Sequence, residues 1–216
     1  MPDGDFDLAD AYAVETPDDN RDLYARWAAT YESMFIVDNG YVYHLGVVGS
    51  FVDTASDGDD PVLDVGCGTG LVGVALRATG PWTVDGLDLS AEMLREARVK
   101  VAGEGDLVYR HLHEGDLTAT LDIPSGAYGA VVSCGTFTHG HVGPTAFDEL
   151  YRITRPGGLF AVGINLDHFT NLGFADRFVD DVAAGRITEP VIRRVNTYEA
   201  GDHAGQLSAV AVFRTL

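Results

Sequence analysis

Short apolar runs alternate with stretches of helical spacing along most of the chain. Two β-rich runs with no helix between them, 187–198 and 206–215, close it. Strands that alternate with helices predict parallel βαβ units in a doubly wound α/β sheet, and the closing pair predicts an antiparallel strand at one edge. The other apolar runs, which have the length of buried strands, are 61–65, 82–89, 106–112, 127–134 and 159–165.

Local signals mark where the predicted helices begin and end. Ser90 is a predicted N-cap for a helix over 91–102, and Pro156-Gly157-Gly158 predicts the end of a helix over 143–154. The remaining helices predicted in the body of the chain cover 41–55, 71–79 and 174–185.

The first part of the chain has a different pattern. A helical pattern over 18–35 places Leu23, Trp27 and Tyr31 four residues apart on one face. We therefore expect one compact domain with two parts, an N-terminal helical segment over 1–57 and an α/β domain over 58–216. The aromatic stripe is equally typical of a helix that covers a ligand and of a helix that packs on a core.

The charge composition of the chain disfavours two classes of binding partner. The chain has 216 residues, 46% of them hydrophobic, and 33 acidic residues against 14 basic ones give a net charge of −19. Such a surface repels phosphate backbones and anionic headgroups, so we expect neither nucleic acid nor membrane as partner. The chain start lacks the pattern of a signal peptide, which favours a cytoplasmic protein, and the sequence leaves monomer and homodimer open.

The two cysteines do not form a recognisable motif. Cys67 and Cys134 are far apart and lack CxxC spacing, so we predict no disulfide framework and no thiolate metal site. We expect both thiols to be reduced, because a buried and inert cysteine is the common case.

The most informative stretch is VLDVGCGTG at 62–70. A buried strand, a loop with three glycines and a helix form the arrangement of a ligand loop at the carboxyl end of a first strand. Gly68-x-Gly70-x-x-Gly73 matches the dinucleotide fingerprint, which makes NAD a candidate. That match begins two residues after the strand end, however, and the carboxylate of Asp64 would repel a pyrophosphate.

Acidic residues near the ends of successive predicted strands favour another nucleoside ligand. Asp64 suits a ligand with an ammonium or a sulfonium group, and S-adenosylmethionine carries both. Asp88 lies about 20 residues beyond the loop, at the spacing of an acid that binds ribose hydroxyls. Asp116 follows the third strand, where an adenine amino group could meet it. Each acid alone would be explained as a loop cap.

These motifs resemble those of a known family. VLDVGCGTG, GLDLSAEML, EGDL and RPGG occur in the order typical of class I S-adenosylmethionine-dependent methyltransferases, over roughly residues 20–165. DLYARWAATYE resembles the lid helix of the ubiquinone-biosynthesis type, and GTFTHGHVGP resembles the Williams–Beuren syndrome region methyltransferase-like proteins. The resemblance implies a Rossmann-like, seven-stranded, mostly parallel sheet with an antiparallel final strand, helices on both faces and an N-terminal helical lid.

The resemblance also implies a cofactor, S-adenosylmethionine, and a set of site residues. Tyr24 and Trp27 would lie over the cofactor as part of the lid, and Tyr31 would join the catalytic residues. The absence of an Asn/Asp-Pro-Pro-Tyr motif in the stretch SCGT disfavours acceptors in DNA or RNA. The other implied cofactor-binding residues are Asp64, Gly66, Cys67, Gly68, Gly70, Asp88, Leu89, Met93, Asp116, Leu117 and Ser133.

Two histidines follow the fourth predicted strand. His139 and His141 lie in FTHGHVG, which leaves that strand beside the methionine end of the cofactor. No carboxylate or thiol cluster accompanies them, so we predict no metal site. We expect His139 to orient or deprotonate the acceptor and His141 to brace the loop, although a purely structural histidine pair would fit the same pattern.

The sequence leaves more than one function open. The main hypothesis is a methyltransferase that transfers the methyl group of S-adenosylmethionine to a small-molecule acceptor by in-line displacement. The alternative is a member of the same fold that binds the cofactor without transferring methyl, either a non-methylating enzyme or a regulatory module. A third hypothesis is an NAD-dependent oxidoreductase. The acceptor atom is not specified by these motifs.

Overall fold

A central mixed sheet organises the protein in the computed structural model, which describes residues 40–103, 105–137, 142–164, 169, 171–201 and 204–216. The helices are α1 (Tyr43–Val52), α2 (Leu71–Thr79), α3 (Ala91–Arg98), α4 (Ala146–Ile153) and α5 (Phe174–Ala183). The strands are β1 (Val62–Val65), β2 (Val84–Asp88), β3 (Val101–Ala102), β4 (Asp106–Leu107), β5 (Tyr109–Glu114), β6 (Tyr128–Phe137), β7 (Thr154–Ile164), β8 (Val191–Asn196) and β9 (Leu207–Arg214).

Seven strands form the main sheet in the order β5-β2-β1-β6-β7-β9-β8. β1 pairs in parallel with β2 on one side and with β6 on the other, so successive strands leave β1 in opposite directions. This reversal opens a crevice outside the carboxyl ends of β1 and β6, which is where open α/β sheets bind their ligands. The predicted seven-stranded, mostly parallel sheet with an antiparallel final strand is confirmed.

The placement of the antiparallel strand differs from the prediction. β9 lies between β7 and β8 and runs antiparallel to both, so the antiparallel strand is inside the sheet rather than at its edge. β9 is almost wholly buried, whereas each residue of β8 is exposed or half-buried. The more apolar of the two closing runs therefore takes the interior position.

Successive side chains of each strand point to opposite faces of the sheet, so the protein has one hydrophobic core on each face. Leu63 of β1 faces one core together with apolar residues of α4 and α5. Val62 faces the other core, which also buries the apolar faces of α1, α2 and α3. Helices thus cover both faces, as predicted. Tyr43 and Phe51 of α1 are almost fully buried there, and the division of the chain at residue 57 stays a prediction.

One helix end differs from the sequence expectation and another agrees with it. α3 ends at Arg98, and the chain beyond it forms the small β3–β4 hairpin instead of continuing to residue 102. α4 ends at Ile153, before the Pro-Gly-Gly segment as predicted, and Thr154 already pairs with Tyr128 of β6. The predicted N-cap at Ser90 is confirmed, since its hydroxyl accepts a hydrogen bond from the amide of Met93.

Candidate active site

The loop between β1 and α2 has the backbone of a ligand cradle. Gly66, Gly68 and Gly70 have φ angles of 65°, 52° and 103°, which favour glycine. A Cβ at Gly66 would collide with the hydroxyl of Thr136, so this glycine allows β6 to approach the loop. A Cβ at Gly68 would meet nothing within 4 Å, so the space above this residue is open.

Asp88 at the end of β2 joins the second strand to this loop. Its Oδ2 accepts a hydrogen bond from the amide of Gly68 at 2.8 Å, and its Oδ1 accepts one from the amide of Ser90 at 2.9 Å. Burial raises the pKa of Asp88, while these amide donors act in the opposite direction. The carboxylate therefore lies beside the open space at Gly68, half-buried and with acceptor capacity left for a ligand hydroxyl.

Asp64 lies beneath the loop rather than in it. The side chain is fully buried, and its Oδ2 accepts a hydrogen bond from the hydroxyl of Tyr109 at 2.7 Å. Its Oδ1 has no hydrogen-bond partner in the described part of the chain. Burial raises the pKa of Asp64 to about 7, and the hydrogen bond from Tyr109 opposes that rise. A buried carboxylate oxygen without a donor is a place where a ligand cation would be stabilised.

Gly73 explains why Tyr109 can reach Asp64. A Cβ on Gly73, in α2, would overlap the Tyr109 ring and hydroxyl. The third glycine of the apparent dinucleotide fingerprint is therefore used for packing between α2 and β5.

Four of the predicted cofactor-binding residues follow β2 and β5 along the chain. Met93 is fully buried in α3, and Leu89 is half-buried after β2. Asp116 follows β5, and its Oδ1 accepts hydrogen bonds from the amide and the hydroxyl of Thr118, both at 2.7 Å. Leu117 is buried beside it. The loop-capping role weighed for Asp116 is thus observed, and its contact with an adenine stays a prediction.

The carboxyl end of β6 packs against the end of β1. The hydroxyls of Ser133 and Thr136 both donate to the carbonyl oxygen of Val65, at 2.8 and 2.9 Å. Ser133 is fully buried, and its hydroxyl supports the pairing of β6 with β1. Its contact with the cofactor stays a prediction.

The two cysteines are free, as expected. Cys67 is buried in the loop, and its sulfur fills the space above Gly86 of β2, so the side chain packs within the protein. Burial raises the pKa of the Cys67 thiol and raises that of Cys134 to about 12. Both thiols are therefore protonated and unreactive at neutral pH.

Several predicted residues lie outside the described part of the chain. These are the lid aromatics and the histidines after β6: Tyr24, Trp27, Tyr31, His139 and His141. Their roles remain predictions. Within the described ranges, no group of three or more His, Cys, Asp or Glu side chains has the arrangement of a metal site. The helices in those ranges include none with the length and apolarity needed to cross a bilayer.

Sequence reasoning missed Tyr109 and Thr136, both of which shape the loop. Tyr109 is 45 residues from Asp64, and Thr136 is 71 residues from Val65, so no local pattern links them. The sequence signal for these contacts lies in Gly66 and Gly73. Because glycine has no side chain, each of them leaves room for the side chain that packs against it.

Comparisons with known proteins agree with this geometry. Residues 62–158 match the methyltransferase domain family. Human methyltransferase-like protein 27 is 38% identical over 99 residues, which are 45% of this chain and 38% of that protein. Malonyl-(acyl-carrier protein) O-methyltransferase of Pectobacterium atrosepticum is 42% identical over 104 residues, which are 46% of this chain and 36% of that protein. The chain therefore spans less than half the length of these curated relatives.

A solved structure shows the same fold. Magnesium protoporphyrin IX methyltransferase from Synechocystis PCC 6803, with bound S-adenosylmethionine, is 17% identical and has a TM-score of 0.63, covering 93% of this chain and 97% of that chain. The matched family segment begins at Val62 and contains both the glycine loop and Asp88. The resemblance and the cofactor predicted from the motifs are confirmed. Residues 62–158 thus match a methyltransferase domain, and the described chain has the fold of a solved methyltransferase that binds S-adenosylmethionine.

Proposed function

We propose that this protein transfers the methyl group of S-adenosylmethionine to a small-molecule acceptor. The observation that carries the proposal is the open glycine cradle at the switch point of the sheet, with Asp88 beside it. Gly68 leaves space above the loop, and the carboxylate of Asp88 is 2.8 Å from the Gly68 amide. A nucleoside with ribose hydroxyls finds both a close backbone approach and a strong acceptor there.

The described residues fit the cofactor in shape and in charge. Asp88 would hold the ribose hydroxyls, and the Gly66–Gly70 loop would lie along the methionine part. The unpartnered Oδ1 of the buried Asp64 favours a nearby positive charge, which S-adenosylmethionine has and NAD lacks at the corresponding position. When bound, S-adenosylmethionine supplies an electrophilic methyl group on a positively charged sulfur.

The protein then has to position an acceptor and exclude competing groups. Alignment of the reacting atoms accounts for about 7–11 kcal/mol of a barrier in favourable cases. The carboxyl ends of β1 and β6 border the crevice where the acceptor would lie. The net charge of −19 opposes polyanionic acceptors such as nucleic acid. The relative from Pectobacterium, named for O-methylation of a malonyl group on a carrier protein, supports an oxygen acceptor.

Binding and turnover test this proposal separately. We expect calorimetry to show binding of S-adenosylmethionine and none of NAD, and S-adenosylhomocysteine to form with a panel of phenols, carboxylic acids, amines and thiols. Cofactor binding with no product from any acceptor class would favour the non-methylating alternative. Binding of NAD in preference to S-adenosylmethionine would overturn the cofactor assignment itself.

A further inference from the structure

The edge strand β5 contains a β-bulge where it pairs with β2. Between two paired positions β5 has one residue more than β2, so Arg110 and His111 together lie opposite Asp85. A bulge of this kind breaks the alternation of side chains and re-aims them at a sheet edge. Two adjacent side chains with N–H donors therefore come together at this point of β5.

A cavity of about 360 Å³, here called the β5 cavity, lies along this bulge. Arg110 and His111 of β5 line it together with Arg98 from the last turn of α3, and no carboxylate of the described residues lines it. The volume is within the range of small-ligand sites. In a chain with 33 acidic residues against 14 basic ones, such a lining favours an anionic ligand.

Buried hydrogen bonds hold Arg110 in position. Its Nε and Nη2 donate to the two carboxylate oxygens of Asp85 at 3.0 and 2.7 Å, and Asp85 is almost fully buried. Asp85 also accepts from the amide of His111 at 3.0 Å and from the hydroxyl of Tyr128 at 2.9 Å, which occupies its remaining acceptor capacity. The other N–H groups of the guanidinium are left for a ligand, and the group is already oriented before a ligand binds.

Two exposed side chains complete the basic lining. Arg98 forms no ion pair with another residue of the described ranges, so no carboxylate there neutralises its charge. The imidazole of His111 lines the same cavity and carries an N–H that can donate to a ligand. The two arginines and this histidine together provide more N–H donors than a single carboxylate ligand can use.

The other walls of the β5 cavity are neutral. Leu107 and Leu112 supply apolar surface, and the ring of Tyr109 is fixed by the hydrogen bond from its hydroxyl to the carboxyl group beneath the glycine loop. The ring of His113 is fixed by a contact of 3.1 Å between its Nε2 and the hydroxyl of Tyr128. Burial lowers the pKa of His113, so this imidazole is neutral at pH 7. The cavity therefore combines guanidinium donors with apolar surface.

We propose that the β5 cavity is a second ligand site that binds a small organic phosphate, with the phosphate group on the two arginines and the apolar part against the two leucines. The three terminal oxygens of a phosphate monoester can accept from both guanidinium groups and from His111, whereas a carboxylate has only two oxygens. This site goes beyond the methyl transfer proposed above and does not depend on it.

The test uses phenyl phosphate as the probe. Amide signals of the isotope-labelled full chain in two-dimensional NMR report both where the probe binds and how tightly. We expect saturable shifts of the amides of residues 109–113. Arg98→Gln and His111→Gln should each weaken binding about tenfold or more, as for the loss of a charge-assisted hydrogen bond. Both side chains are exposed, and thermal unfolding shows that each variant is folded.

Arg95→Gln is the matched control. Arg95 is exposed on the same helix, three residues before Arg98, and it pairs with Glu92 at 3.1 Å outside the cavity. This substitution removes the same charge from the same region, so we expect the affinity for phenyl phosphate to change little. Benzoate, which keeps the ring but carries a carboxylate, should bind about tenfold more weakly than phenyl phosphate.

Several results would overturn the inference. These are no saturable binding of phenyl phosphate at millimolar concentration, shifts confined to amides outside residues 109–113, and an affinity of Arg98→Gln equal to that of the wild type or of Arg95→Gln. Binding of benzoate as tight as that of phenyl phosphate would contradict the choice of a phosphate. The titrations contain neither S-adenosylmethionine nor an acceptor, so each of these results leaves the proposed methyl transfer intact.

Discussion

Replacing Asp64 by asparagine should change how the stability of the protein depends on pH. The buried carboxyl has a pKa of about 7, against an ordinary value of 3.8 that applies in the unfolded chain. Between these values the folded state binds one more proton than the unfolded state, so the contribution of Asp64 to stability is largest at low pH and is lost as the pH rises towards 7. The amide side chain of the Asp64→Asn variant does not titrate in this range, so the variant lacks this contribution.

The magnitude follows from the same two values. Each pH unit within this window changes the free energy of unfolding by about 1.4 kcal/mol per proton, so the whole window is worth at most roughly 4 kcal/mol. We expect the wild type to lose roughly 2–3 kcal/mol relative to Asp64→Asn between about pH 5 and pH 7. Carboxylates whose pKa is lowered by arginine, such as Asp59 and Asp85, are present in both proteins and cancel in the difference.

Urea unfolding followed by circular dichroism, without cofactor, measures this difference at several pH values. Asp57→Asn serves as the matched control, because it also removes one negative charge but at an exposed position. If the wild type and Asp64→Asn keep the same stability difference at every pH in the window, Asp64 does not hold its proton as its burial implies, and the reasoning fails.

Three further substitutions test the site. Gly68→Val should abolish binding of S-adenosylmethionine in calorimetry. Gly103→Val is the control and should leave the affinity unchanged, because Gly103 has nearly the same φ (51° against 52°) and equally open surroundings. Equal affinity of the two variants for S-adenosylmethionine would contradict the assignment of the glycine loop as the cofactor site. Asp88→Ala should weaken cofactor binding about 10- to 100-fold, as for the loss of charge-assisted hydrogen bonds, and an unchanged dissociation constant would contradict the ribose assignment. Gly73→Ala should destabilise the fold by about 1–3 kcal/mol, because the added methyl group overlaps Tyr109 of β5. Gly49→Ala, in an open helical position, should stabilise the fold by about 0.5–1 kcal/mol. If chemical unfolding shows Gly73→Ala to be the more stable variant, the packing role of Gly73 is refuted.

Periodicity along the chain predicted most of the architecture. The strands before and after the glycine loop and the helix capped by Ser90 were predicted because their signals are local. The small hairpin after α3 was not, because Val101 and Ala102 also continue the spacing of the preceding helix. The interior place of β9 depends on pairing with β7 and β8, and no local pattern records which strand takes the middle position.

The candidate site was predictable to a similar degree. Gly66, Gly68 and Asp88 were predicted because loop and acid lie at recognisable spacings, and they come together in the structure. The contact of Tyr109 with Asp64 was not predictable, since it joins distant segments through a buried hydrogen bond.

The position of β9 has a consequence for the order in which the sheet folds. The strands β1, β2, β5, β6 and β7 can pair with one another without the end of the chain, but β8 has no partner in the sheet until residues 207–214 are in place. Before β9 is inserted, β7 has an open edge and β8 is unpaired, and both can pair with another chain. We therefore expect β9 to complete the second half of the sheet in one late step of folding, and the chain to aggregate most readily before that step.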